Sequence, residues 1–150
     1  MKYQNNPLNI RFVPSNTWVG QIQPKQGFCQ FDTLDHGIRA AVILICKSYA
    51  KKGIHKVSDI INRFAPPFEN NTSAYILAVT KMCKAVYLRE DSEVFLPLHY
   101  AHLITAMSKI ETGLNNGVNF DSVYYIVCTI LKPQQYEVKE IDFGEDSEVY

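Results

Sequence analysis

The apolar positions of the chain recur at helical spacing in several separate stretches. The clearest is residues 98–117, where apolar side chains return every three or four residues, as on one face of an α-helix. That face carries Leu103, Ala106, Met107 and Ile110. Gly113 is well placed to end the helix, because glycine readily takes the backbone conformation that commonly follows a last helical turn. The pattern therefore predicts an amphipathic helix with Glu111 in its last turn.

Four further stretches have apolar patterns that indicate regular structure. They predict helices at residues 34–51, 57–64 and 73–86, and a helix or strand at residues 122–131. Asp32 or Thr33 is placed to cap the first helix and Thr72 the third, since their side chains can accept from the free amides of a helix start. Pro66 and Pro67 stop the second helix. Residues 122–131 are rich in β-branched and aromatic types but follow an Asp-Ser pair that suits a cap, so a helix is favoured.

The first 31 residues have a different pattern. Turn-forming Asn, Pro and Gly residues alternate there with short apolar runs, which is typical of a small, irregular β-hairpin. Its predicted strands are residues 10–13 and 28–31. The sequence therefore predicts a mainly α domain with a small β-hairpin near the N-terminus. A chain of 150 residues corresponds to a single domain, and its acidic last stretch, residues 137–150, is expected to be a mobile terminus.

The composition narrows the classes of partner. The chain is 47% apolar and 20% charged, with a formal net charge of zero, so no basic surplus favours nucleic acid as a partner. No apolar run approaches the length of a membrane helix, and residues 1–12 lack the apolar core of a signal peptide. The sequence therefore predicts a protein that is made in the cytoplasm without a signal peptide and that has neither nucleic acid nor a membrane as a partner.

The thiols and imidazoles give no metal-binding pattern. The four cysteines are widely spaced, without a C-x-x-C pair, and the four histidines form no H-E-x-x-H motif. Reduced, buried thiols are the favoured interpretation for the cysteines. We therefore predict no metal site and no cofactor.

Glu111 is the candidate catalytic residue. A carboxylate in the last turn of a helix lies near the negative end of the helix dipole, and the neighbouring Ile110 indicates an apolar setting. Both effects raise the pKa of a carboxyl group, and a raised pKa suits a general acid that works near neutral pH. The alternative is a solvated glutamate at a helix end.

Several side chains near the N-terminus suit sugar binding. Asn6, Asn9 and Gln21 offer amide donors and acceptors, and Trp18, the sole tryptophan, could stack on a pyranose ring. The alternative is that these asparagines form turns and that the tryptophan belongs to the core.

The last helical stretch resembles the acid helix of the lysozyme-like superfamily, which includes lytic transglycosylases and glucosaminidases. In that superfamily a helix of the form A-(apolar)-x-x-(apolar)-E-[ST]-G carries the catalytic glutamate into the cleft. The matching positions are Ala106, Met107, Ile110, Glu111, Thr112 and Gly113. The resemblance implies a lysozyme-like helical domain with Glu111 as its acid.

A second resemblance covers residues 5–79, which are similar to a glucosaminidase-related module of phage and prophage proteins. The matching segments are residues 6–11, 18–21, 27–31, 36–40, 60–67 and 69–76. In the glucosaminidase-like enzymes the acid helix precedes the segment that here opens the chain. This order resembles a circular permutation of the lysozyme-like fold, which close termini make tolerable. The alternative is that the true acid helix was lost and that the match at Glu111 is accidental.

These resemblances imply a phage or prophage enzyme that cleaves the β-1,4 glycosidic bond between N-acetylmuramic acid and N-acetylglucosamine in peptidoglycan. Glu111 would protonate the leaving oxygen, at the bacterial cell wall or within a virion. The glycan strand would be held by Asn6, Asn9, Trp18, Gln21 and Tyr75. The first alternative is a non-catalytic virion protein that binds glycan and contacts other virion proteins. A more distant one is an intracellular helical interaction module without sugar chemistry.

A second carboxyl group is the open part of this mechanism. Glycosidases commonly use two carboxyl groups at a defined separation. Asp32, Asp35 and Glu69 are the candidates, and the sequence does not place any of them beside Glu111. Some lytic transglycosylases manage with one glutamate and the acetamido group of the substrate, so hydrolysis and non-hydrolytic cleavage both stay open.

Overall fold

The computed structural model describes residues 1–132, so the acidic stretch 137–150 lies outside the described residues. Two strands come first, β1 (Gln21–Lys25) and β2 (Phe28–Phe31), paired antiparallel. The helices are α1 (Leu34–Ile43), which continues as a π-helical segment (Leu44–Tyr49), α2 (Val57–Phe64), α3 (Thr72–Met82), α4 (Pro97–Thr112) and α5 (Phe120–Ile130). A short 3-10 turn, Lys84–Val86, follows α3. The prediction of a mainly α fold with a small hairpin near the N-terminus is confirmed.

The predicted helices are present, but two of their caps differ. Thr33 caps α1 as predicted, because its hydroxyl accepts from the His36 amide at 3.2 Å. Asn71, and not Thr72, caps α3, since Thr72 already belongs to the helix and its hydroxyl donates to the Ala65 carbonyl at 2.6 Å. The stretch 122–131 is the helix α5, and its cap is Asn119.

The prediction of a strand at residues 10–13 is wrong. The strand that pairs with β2 in the hairpin is β1. Residues 10–13 contribute only isolated bridges, including one between Arg11 and Phe28. The segment is short because a turn bounds it on each side: Asn9 has a φ of 50° just before it, and the Asn16 amide donates to the Val13 carbonyl at 3.0 Å just after it. The segment still lies along β2, since the Cys29 amide donates to the Ile10 carbonyl at 2.9 Å.

A buried amide side chain ties this N-terminal segment to the hairpin. Asn6 is 0% exposed. Its Nδ2 donates to the Ile10 carbonyl at 3.0 Å and to the Cys29 carbonyl at 2.8 Å, and its Oδ1 accepts from the Ile10 amide at 2.9 Å. One side chain thus closes the turn formed by residues 6–10 and fastens that turn to β2.

The same segment also lies directly on α1. A methyl group added at Gly37 would come 1.7 Å from the Asn5 carbonyl oxygen, so only glycine admits this approach of the two backbones. The Asn5 side chain donates to the Phe31 carbonyl at 3.1 Å on the hairpin side. Asn5 itself has a φ of 53°, in the left-handed region that asparagine tolerates.

The core lies between the helices. Helix α4 packs against both α3 and α5, and α1 packs against α5 and β2. The fully buried side chains of the core include Ile38, Val42, Ile45, Ile60, Val79, Leu103, Ile104, Met107, Val123 and Val127. Within residues 1–132, no helix has the length and apolar character needed to cross a membrane.

We expect the Asn6→Ala variant to be markedly less stable than the wild type. The substitution leaves the buried Cys29 carbonyl and the Ile10 amide without their partner, while the Ile10 carbonyl keeps the Cys29 amide. Each buried unpaired polar group costs about 1–3 kcal/mol. Urea unfolding measures this loss. Asn62→Ala is the matched control, because Asn62 also donates to a carbonyl, that of Ser58, but is exposed. Equal losses in the two variants would contradict the role given to Asn6.

Candidate functional site

A groove of about 570 Å³ lies between the N-terminal segment and the helices. Its walls come from four parts of the chain: the first 28 residues, the π-helical segment that extends α1, the end of α2 with the loop after it, and the last turn of α4. The lining residues are Lys2, Tyr3, Asn9, Ile10, Arg11, Val13, Asn16, Trp18, Phe28, Leu44, Tyr49, Phe64, Ala65, Glu69, Asn70 and Glu111. Aromatic side chains and amides therefore surround one half-buried and one exposed carboxyl group.

Three of the residues predicted from the sequence meet in this groove. They are Glu111, Asn9 and Trp18. Trp18 is half-buried. Its side chain packs partly against the core and also lines the groove, so it has features of both the core residue and the sugar-binding residue considered for it. Glu69, a candidate for the second carboxyl group, lines the same groove.

The other predicted contact residues lie outside the lining of the groove. Asn6 is fully buried with its amide engaged, so it acts by holding the N-terminal segment and does not face a ligand. The Gln21 side chain accepts from the Trp18 backbone amide at 3.0 Å and so supports the turn that carries the indole. Tyr75 is 8% exposed and lies behind Glu111.

The two remaining carboxylate candidates are placed elsewhere. Asp32 pairs with the His36 ring at 2.6 Å, and this hydrogen bond lowers the pKa of Asp32. Asp35 lies in the first turn of α1, beside Asp121 of α5. Of the three candidates, Glu69 is therefore the one that shares a groove with Glu111.

The environment of Glu111 raises its pKa. The cause is burial, which disfavours the charged form of the carboxyl group. The Tyr75 hydroxyl and the Asn9 amide lie near the carboxyl group and offset part of this effect. The direction is the one that the sequence predicts, and it leaves Glu111 more readily protonated than a solvated glutamate.

Tyr75 is a largely buried polar neighbour of Glu111. Its hydroxyl is buried and forms no hydrogen bond of normal geometry within residues 1–132. Burial, and then the charge of Glu111, raise the pKa of Tyr75, so the phenol stays protonated. A protonated hydroxyl beside Glu111 can donate to the carboxylate once Glu111 has lost its proton.

The N-terminal segment docks on the end of α4. The Asn9 side chain donates to the main-chain carbonyl of Glu111 at 3.2 Å, and the Thr112 hydroxyl donates to the Pro7 carbonyl at 3.1 Å. The last carbonyls of a helix have no partner within it, so Asn9 satisfies a group that the helix leaves free. This contact sets the position of Asn9 relative to the carboxyl group.

A polar cluster that includes residues beyond the end of α4 also stabilises the last turn of this helix. The Asn116 amide donates to the Ser108 carbonyl at 3.0 Å and to the Thr112 hydroxyl at 2.9 Å. Lys109 donates to Asn116 at 2.7 Å and also to the Val118 carbonyl, and its charge suits the negative end of the helix dipole. The periodicity of the helix gives no sign of the contacts made by Asn116, although a lysine in a last helical turn is a known signal.

The thiols and the acidic side chains show no metal site. Within residues 1–132, no three His, Cys, Asp or Glu side chains are grouped so that they could hold a metal ion. The four cysteines are free thiols, and burial raises the pKa of Cys46 to about 12 and of Cys83 to about 11. Cys29, Cys46 and Cys83 are buried as predicted, whereas Cys128 is partly exposed.

The comparisons with known proteins point to a phage protein family. The chain is 32% identical over 126 residues to Protein P5 of Pseudoalteromonas phage PM2, and the match covers 79% of this chain and 74% of that protein. The chain therefore belongs to the family of phage PM2 Protein P5. No family model matches the sequence. The phage connection expected from the sequence is confirmed, and the relation to lysozyme-like modules stays a prediction.

We expect Glu111→Gln to stabilise the folded protein more at about pH 7 than at about pH 4. Because the pKa of Glu111 is raised in the folded state, the protonated group stabilises the fold below the unfolded-state pKa, and this contribution is lost as the pH rises through the folded-state pKa. Glutamine resembles the protonated form at every pH. Thermal unfolding midpoints at the two pH values measure the difference.

Glu90→Gln is the control for this experiment, since Glu90 is exposed and lies outside the groove. Its effect should be small at both pH values. A stability difference for Glu111→Gln that does not change with pH would contradict a raised pKa.

Proposed function

We propose that this protein is a phage-type glycosidase that cleaves the β-1,4 bonds of peptidoglycan, with Glu111 as the general acid. The observation that carries the proposal is the half-buried carboxyl group of Glu111, with its raised pKa, in a groove that Asn9 and Trp18 also line. A groove of about 570 Å³ is large enough for one or two sugar units at a time.

The proposed chemistry starts with a proton transfer from Glu111 to the glycosidic oxygen. A sugar alkoxide is a poor leaving group, so protonation as the bond breaks lowers the barrier. The Glu111 carboxylate formed by this step then accepts from the neighbouring Tyr75 hydroxyl. This role for Tyr75 replaces the direct glycan contact predicted from the sequence.

The second half of the reaction needs a nucleophile at the sugar carbon. Glu69 supports a hydrolytic route, since it lines the groove and its carboxylate could activate a water molecule. Without such a base, the acetamido group of the substrate would serve instead, as in some lytic transglycosylases. Trp18 would stack on a sugar ring, and Asn9 would donate to a hydroxyl or acetamido group.

The alternative is a non-catalytic virion protein that keeps a glycan-binding groove. The observation that favours it is the Arg11 guanidinium 3.8 Å from the Glu69 carboxylate, an exposed and weak ion pair that places a cation beside the second carboxylate. In either case the proposed site of action is the bacterial cell wall or the virion. The proposed partners are peptidoglycan strands and, for the virion protein, other virion proteins.

We expect Glu111→Gln to abolish cleavage while glycan binding persists. Loss of a general acid typically lowers the rate by about 10² to 10⁴. The glutamine amide keeps the size of the side chain and can still contact a glycosidic oxygen, so the affinity should change little. Release of soluble fragments from purified peptidoglycan measures the rate, and the fluorescence of Trp18, the sole tryptophan, reports binding.

Glu90→Gln should cleave at the wild-type rate, because Glu90 does not line the groove. A Glu111→Gln variant with wild-type turnover would remove Glu111 from the site. A wild type that binds peptidoglycan of several types but cleaves none would leave the non-catalytic virion protein as the function.

A further inference from the structure

Four side chains form a continuous stack along the groove. The Tyr3 and Phe28 rings are stacked with their centroids 4.2 Å apart and an angle of 13° between their planes. The Lys2 ammonium lies 5.6 Å from the centroid of Tyr3, and the Arg11 guanidinium lies 5.2 Å from that of Phe28. Because a gap of 4.2 Å between the rings leaves no room for a third group, each cation occupies the outer face of its ring.

The stack holds two cations in defined positions. A cation over an aromatic face is attracted by the ring quadrupole, which limits the freedom of otherwise flexible side chains. Tyr3 is 7% exposed, so the aromatic part of the stack is anchored in the fold. Both cations line the same groove as Glu111 and Trp18.

The positive charge of the stack is only weakly compensated. Within residues 1–132, Lys2 forms no ion pair, and the sole acidic partner of Arg11 is Glu69, at 3.8 Å. The Arg11 and Glu69 side chains are 70% and 49% exposed, and an exposed pair at this distance contributes little. Arg11 therefore keeps donors for a ligand.

We propose that Lys2 and Arg11, at the two ends of the stack, are separate carboxylate-recognition points, each able to meet a carboxylate, and that they select anionic glycan strands over neutral ones. This inference rests on the proposed function, since it takes the groove to be a glycan site. The planar guanidinium group suits a carboxylate, which it can bind through two parallel hydrogen bonds. Two sources could supply that carboxylate: the lactyl group of muramic acid in a strand without peptides, or the carboxylates of the stem peptides.

The experiment compares three ligands: a neutral N-acetylglucosamine oligomer, a glycan strand stripped of its peptides, and a peptide-bearing strand of equal length. Trp18 fluorescence or calorimetry gives each dissociation constant. The double variant Lys2→Gln/Arg11→Gln should bind one or both anionic strands about tenfold more weakly, by analogy with two lost ion pairs, and should bind the neutral oligomer as the wild type does. The anionic strand that loses affinity identifies the source of the carboxylate.

Three further variants sharpen this test. Glu69→Gln should bind the anionic strands more tightly, because it removes the group that competes for Arg11. Lys25→Gln is the control for the loss of one positive charge, since Lys25 is exposed on β1 and does not line the groove. Arg11→Lys keeps the charge and should retain part of the selectivity, and urea unfolding of each variant monitors its stability.

The outcomes separate this inference from the proposed function. If the wild type binds all three glycans and the double variant binds the anionic strands equally well, this inference is overturned and the glycosidase proposal stands. An equal loss for neutral and anionic ligands would also overturn it, because it would indicate a general effect on the groove. If the wild type binds none of the three ligands, both proposals fail.

Discussion

A single buried amide side chain, that of Asn6, connects the N-terminal segment to the rest of the molecule. Its three hydrogen bonds reach Ile10 and Cys29, where water does not compete. Because the turn that it closes contains Asn9, the amide also determines where Asn9 meets the last turn of α4. The contact between the Asn5 carbonyl and Gly37 fixes the same segment on its other side. The part of the groove wall that the N-terminal segment forms therefore depends on Asn6 and Gly37, which do not themselves line the groove.

The candidate acid carries an energetic cost within this arrangement. Burial of the Glu111 carboxyl group favours its protonated form and so opposes stability at neutral pH, which is a common compromise at functional sites. The surroundings limit this cost without removing it. Asn9 and Tyr75 interact with the charged form. The carboxyl group can therefore hold a proton and can also tolerate its loss, as a general acid requires.

Much of the fold could be predicted because helix signals are local. The helix at residues 57–64 has the predicted bounds, and the stop at Pro66 is a property of that residue alone. The strand at residues 10–13 could not be predicted correctly, because its apolar pattern suits a strand, while the turns on either side of it limit its pairing with β2 to an isolated bridge. The cap of α3 was predicted only to within one residue, since Asn71 and Thr72 are adjacent and both residue types can cap a helix.

Only part of the site could be predicted, because some of its residues are defined by contacts between segments that lie far apart in the sequence. Glu111 carries its own signal at the end of an amphipathic helix, whereas the role of Asn6 depends on partners that fold against it from β2. Lys2 and Arg11 gave no signal, because their common feature is the pair of stacked rings, Tyr3 and Phe28, which lie far apart in the sequence. Contacts between distant segments have no periodicity that a single sequence displays.

The most direct test of the account is a crystal structure of the Glu111→Gln variant in complex with a peptidoglycan tetrasaccharide. The account predicts that the sugar lies in the groove between the N-terminal segment and α4, with a glycosidic oxygen about 3 Å from the substituted side chain and a sugar ring on Trp18. A tetrasaccharide bound on another surface would contradict it. So would one in the groove with every glycosidic oxygen out of reach of position 111.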